Sequence, residues 1–118
     1  DMINAMAEKK QKKAMELYYD LLALKEPPMR ILYLITRQFN LLMQVKELSE
    51  EGYSAKTISE RLKMAGFIVR NCLRQAEYFS LKTLKEALQD CVRMEEAVKT
   101  GRMNDVMSVE LLLVKYSS

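Results

Sequence analysis

The sequence contains no histidine at all. That removes the usual general base and the commonest metal ligand. It has only two cysteines, Cys72 and Cys91, on separate apolar helical faces, too few and too far apart for a zinc site. The expectation for them is two buried thiols in a reducing compartment, and hence a cytoplasmic setting. Three glycines and two prolines leave little room for the turns of an all-β fold. There is no GxxxxGK[ST] phosphate loop and no GxGxxG. Carboxylates are scattered at helix-surface spacing, the pattern of ordinary ion pairs. These absences argue against an enzyme and point to no cofactor and no metal. No apolar run reaches the length of a membrane span and no signal peptide is visible, so no membrane contact is expected. The net charge of +3 is too mild to demand nucleic acid as a partner.

What is present is helical amphipathicity. Of 118 residues, 49% are hydrophobic and 30% charged, the balance of a compact helical domain. The organising stretch runs from Pro27 to Gly52. Proline suits a first helical turn, and glycine suits the left-handed residue that closes a helix. Between them Ile31, Leu34, Ile35, Phe39, Leu41, Leu42, Val45 and Leu48 cover more than half of the circumference at about 100° per residue. So wide a stripe belongs to a helix with neighbours on several sides.

Upstream, Asp1–Ala7 reads as a helical remnant, followed by the basic run Lys9, Lys10, Lys12 and Lys13 and a helix reaching Lys25. Downstream, Ser54 caps a short helix that Gly66 ends. Phe67–Phe79 is the next helix. Ser80 caps a long one ending near Lys99 and Gly101, and Asn104 caps a final helix that is apolar nearly all round. The expectation is a single all-α domain over residues 1–118, a bundle of about five substantial helices with short loops. The chain starts at Asp1, inside a helical element, which suggests a C-terminal fragment of a longer protein.

Several residues depart from the apolar pattern. Tyr33 lies in the polar strip of the central helix, and Tyr19, Met29 and Met43 lie at the edges of apolar arcs. All four are candidate contact residues. Gln38 and Glu95 fall inside apolar stripes. A buried carboxylate needs a partner, so Glu95 is expected to be buried and bonded to Gln38 or Arg37. Finally, Ser54–Arg74 has the spacing of a helix-turn-helix, which would aim Arg70, Asn71 and Arg74 at a major groove. Nucleic-acid binding through that unit is the competing functional reading.

The order and spacing of several pieces carry a resemblance. Pro28, Ile31-Leu32, Arg37-Gln38-Phe39, Leu41-Leu42 and Val45-Lys46-Glu47-Leu48 come in the central helix. Lys12-Lys13-Ala14 and Leu21-Leu22 precede it. Ala76-Glu77-Tyr78-Phe79-Ser80, Ala97-Val98-Lys99-Thr100-Gly101-Arg102 and Glu110-Leu111-Leu112-Leu113 follow. Together they resemble the C-terminal domain of the delta subunit of bacterial DNA polymerase III. Glu95 departs from that pattern, which often has aspartate there. The resemblance implies a helical collar domain without catalytic activity, which joins delta to the other clamp-loader subunits in a ring. It implies that the sliding clamp and DNA are met only through the parent complex, with the clamp-binding element in another domain.

Overall fold

The computed structural model describes residues 1–118, and every element in it is an α-helix. There are seven: α1 (Met2–Ala7), α2 (Gln11–Ala23), α3 (Pro28–Glu50), α4 (Ala55–Leu62), α5 (Gly66–Ala76), α6 (Leu81–Lys99) and α7 (Asp105–Tyr116). The all-α class holds, but the expected number of about five was too low. The N-terminal turn is a true helix. Asp1 caps it by accepting from the Asn4 N–H, and Met2, Ala5, Met6 and Ala7 are buried.

The starts of the helices follow the sequence closely. Ser54, Ser80 and Asn104 each accept a hydrogen bond from the backbone N–H three residues on, and Pro28 occupies the first position of α3. The ends follow one rule that the sequence half conceals. Lys9, Lys25, Gly52, Lys63 and Gly101 all have positive φ, and each stands just beyond a helix. At each, the next N–H donates five residues back: Lys10 to Ala5, Glu26 to Leu21, Tyr53 to Leu48, Met64 to Ser59 and Arg102 to Ala97. This is the Schellman pattern, which satisfies carbonyls left over at a helix end. Gly66, expected from sequence to end α4, does not; Lys63 closes that helix, and Gly66 is the first residue of α5.

A left-handed lysine costs about 1–2 kcal/mol in steric strain, while glycine costs somewhat more unfolded-chain entropy. Lys25→Gly is therefore expected to stabilise the protein by about 0.5–1 kcal/mol in denaturant unfolding. Lys9→Gly should not, because the Lys9 ammonium donates to the Tyr116 carbonyl at 3.0 Å and lies 3.9 Å from the centre of the Phe79 ring. Equal effects at the two sites would refute this distinction.

Helix α3 packs against α1, α4, α5, α6 and α7, so it is the axis of the domain. Its Ile31, Leu32, Ile35, Phe39, Leu42 and Val45 are buried. Phe39 meets Phe79 edge-on at 5.8 Å between ring centres and Tyr116 at 5.2 Å. Leu34, placed in the inward arc by the helical wheel, is partly exposed, as are Leu24, Ile68 and Val92. Cys72 and Cys91 are buried free thiols whose ionisation is pushed up by burial.

Candidate assembly surface

Two polar clusters hold the helices in register. The first joins α1, α3 and α5 around the fully buried Gln75. Gln38 on α3 donates to the Gln75 Oε1 at 2.7 Å. The Gln75 Nε2 donates to Asn4 at 2.7 Å and to Glu8 at 3.2 Å. Arg74 reaches the same Glu8 carboxylate at 3.2 Å and also bonds Asn71, which contacts Asn4. Sequence reasoning marked Gln38 but missed Gln75, its partner. The available signal was its place one turn from both Cys72 and Phe79 on the inner side of α5.

The second cluster ties α7 to α6. Asp90 accepts from Lys115 at 2.8 Å, from the Tyr116 hydroxyl and from Arg93 at 3.1 Å, and Lys115 also pairs with Glu86 at 2.8 Å. Burial opposes ionisation of Asp90, but the bonds from Lys115 and Tyr116 outweigh it and hold its carboxyl below the usual range. Glu8 behaves alike: burial raises its pKa, and Arg74, Gln75 and Lys10 bring it below the ordinary value. Both groups therefore release their proton at lower pH in the folded than in the unfolded chain. Their stabilisation is complete above the unfolded values of 3.8 and 4.5 and is lost as pH falls through the folded ones. Thermal melts from about pH 5 to about pH 3 should show a falling midpoint, with a shallower slope in Asp90→Asn. An unchanged slope would show that Asp90 does not contribute.

Glu95 is not in either cluster. Its side chain is 53% exposed and pairs with Lys99 on its own helix at 2.9 Å. The expected bond to Gln38 or Arg37 does not form: Gln38 bonds Gln75, and Arg37 is exposed without a partner. The buried side of α6 is defined by Leu84, Ala87 and Cys91. Val92, which proves exposed, had drawn the wheel's stripe toward Glu95. The pair Asn71 and Arg74 also fails to match a groove-reading role, since both are turned to α1; Arg70 alone of the three is free of such bonds and exposed.

The candidate contact residues separate into two kinds. Met29 and Met43 are half-buried and pack on the core. Tyr19 and Tyr33 are 48% and 63% exposed. Tyr33 shares its exposed strip of α3 with Arg37, Asn40, Gln44 and Glu47. Tyr19 lies beside α7. Burial and the neighbouring Glu110 raise its hydroxyl pKa. The adjacent Tyr18 is buried, donates to the Val106 carbonyl at 2.7 Å, and is pushed up to about 12 by burial and then by Glu110 and Asp105. On the outer side of α7, Met107, Leu111 and Val114 are all exposed at a spacing of four and three. That spacing places them in one narrow apolar stripe. The inner side, with Val109, Leu112, Leu113 and Tyr116, is already buried in the domain. Helix α7 thus has a second apolar face with no partner in the chain. The sequence expectation of a helix apolar nearly all round is explained by these two faces.

No group of three His, Cys, Asp or Glu side chains could hold a metal ion, and no helix is long and apolar enough to cross a membrane.

Comparison with known proteins gives the surface a context. The family model described as "DNA polymerase III delta subunit, C-terminal domain" matches residues 1–116. DNA polymerase III subunit delta of Bacillus subtilis (strain 168) is 33% identical over 115 residues, which are 98% of this chain and 33% of that protein. The solved structure of the Bacillus subtilis DNA clamp loader delta protein superposes with a TM-score of 0.88 at 33% identity, covering 98% of this chain and 34% of the other. The chain spans about a third of the length of these relatives. With the match running through all seven helices, from the Asp1 cap to Tyr116, the chain belongs to the family of C-terminal domains of DNA polymerase III delta.

Proposed function

We propose that this chain is the collar module of a clamp-loader delta subunit, a non-catalytic assembly domain. It acts by packing helices against the other clamp-loader subunits. The observation that carries the reading is the family match over residues 1–116 together with the TM-score of 0.88 to a clamp loader delta protein. In this reading residues 1–118 form one domain at the C-terminal end of a longer cytoplasmic subunit. The sliding clamp and primed DNA are handled by the assembled complex, not by this domain alone.

The assembly face is the outer stripe of α7, Met107, Leu111 and Val114, together with Tyr19 beside it. Apolar side chains aligned on one helix face, with the opposite face already buried, are suited to a partner helix. Tyr33 on α3 marks a second candidate contact. Met29 and Met43 pack on the core, so any contact they make is at the rim.

Co-purification of the delta subunit with the other clamp-loader subunits tests this. Leu111→Glu combined with Tyr19→Ala should abolish recovery of the complex, with a melting temperature close to that of the parent. Tyr33→Ala reports separately on the α3 face. Undiminished assembly by the Leu111, Tyr19 variant would exclude the α7 face. The DNA-reading alternative gains no support, since Asn71 and Arg74 are bonded to α1.

A further inference from the structure

Five of the seven helices end on a residue of positive φ. Helices α5 and α7 do not: their closing residues Glu77 and Ser117 have φ of −63° and −102°. Each borrows a side chain from elsewhere in the chain. Lys46 of α3 donates to the Ala76 carbonyl at the end of α5, at 3.2 Å. At the end of α7 the last four carbonyls are all occupied. The Ser117 N–H donates to that of Leu113, and the Ser118 hydroxyl to that of Lys115. The other two are taken by the α1–α2 junction. The Gln11 amide donates to the Val114 carbonyl at 2.8 Å, and the Lys9 ammonium to that of Tyr116 at 3.0 Å.

Lys9 thereby closes two helices. Its left-handed backbone ends α1, and its side chain ends α7. The ammonium lies over the Phe79 ring, and burial pushes its pKa down, so the bond to Tyr116 is made partly away from bulk water. From the other side, Asp90 of α6 binds the side chains of Lys115 and Tyr116 but reaches no carbonyl. Val114 is the last member of the exposed stripe that begins with Met107 and Leu111. Its own carbonyl is the one that Gln11 holds. The first turn of α7 has a separate anchor, since Asn104 accepts from the Met107 N–H.

We propose that Lys9 and Gln11 are positioning residues for the α7 assembly face: they hold its last turn so that Val114 stays aligned with Leu111 and Met107. This role rests on α7 being the assembly face, and it makes the α1–α2 junction a control point for subunit binding. Helix ends fray where their carbonyls lack partners, and a frayed turn presents no fixed stripe. Neither Lys9 nor Gln11 needs to touch the partner subunit.

The delta subunit carrying Lys9→Met and Gln11→Met tests the proposal. Methionine keeps an apolar stem and removes the donor. Hydrogen exchange of the Lys115, Tyr116 and Ser117 amides should speed up about tenfold, with the Phe39 amide unchanged. Affinity for the other clamp-loader subunits should fall roughly threefold to tenfold. Lys9→Arg, which retains a donor, should keep the parent affinity. The loss from the double change should be less than additive with Val114→Ala and additive with Met107→Ala. Gln11→Met alone breaks only an exposed bond, so it stays folded and should give part of both effects. Unchanged exchange in the last turn would overturn the proposal. So would faster exchange throughout the domain, or equal coupling to Met107 and Val114, which mark a merely structural role. Parent affinity in the double variant, with assembly abolished by Leu111→Glu and Tyr19→Ala, overturns this role alone. Assembly that survives both pairs of changes removes the α7 face itself, and this role with it.

Discussion

Phe39→Ala should destabilise the domain by about 3–5 kcal/mol. Phe39 is fully buried on the helix that contacts five others, and its ring is the common neighbour of Phe79 and Tyr116. Removing it takes away the apolar burial of the ring and leaves a void that rigid helices on all sides cannot fill. Against a total stability of about 5–15 kcal/mol for a domain of this kind, that loss is a large fraction. Denaturant unfolding measures it. A loss below about 1.5 kcal/mol would mean that α6 and α7 collapse into the space, and that the aromatic cluster is not the anchor of the core.

Gln75→Leu should cost about 1–3 kcal/mol although leucine is close in size and more apolar. The cost comes from the partners left behind. The Gln38 amide loses its acceptor, and Asn4 and Glu8 each lose a donor inside a partly dry cluster. Gln38→Leu together with Gln75→Leu should then cost less than the sum of the two single changes, because one orphaned group disappears with its partner. Additive losses would show that the two amides do not act as a unit. The same cycle performed between Gln38 and Glu95 should be additive, since Glu95 is held by Lys99 on the far side of its helix.

Helix starts were legible because a cap is local chemistry. Ser54, Ser80 and Asn104 each need only a side-chain oxygen and an N–H three residues away. Helix ends were legible only where glycine marks them. Lys9, Lys25 and Lys63 take the same left-handed conformation, yet lysine carries no signature of it, so two ends were misplaced or left vague. The wheel found the buried side of α3 but erred on α6. Val92 is apolar and exposed, and counting it as core turned the stripe toward Glu95. Gln75 escaped notice for the converse reason: a polar side chain draws no weight in an apolar stripe and was assigned to neither face, although its neighbours Cys72, Ala76 and Phe79 are all buried. The six residues of α1 are too few to show a period at all, so the helix that completes the Gln75 cluster could not be weighted from sequence. The family was legible because many weak pieces recur in order along nearly the whole chain. The α7 stripe was visible as an excess of apolar residues, but only the fold shows which of them are spent inside the domain.

The position of Tyr116 has a consequence for how the domain is made. Its ring completes the wall around Phe39, its hydroxyl reaches Asp90, and its carbonyl receives the Lys9 ammonium from the other end of the chain. A ribosome that has released α1 through α6 has therefore delivered a core with one side still open to water. Phe39 and Phe79 wait there without their third ring, and Lys9 has no helix end to cap. Until the last turn of α7 packs, the sides of α3 and α6 that face it stay open to water, although α3 and α6 can already cover each other.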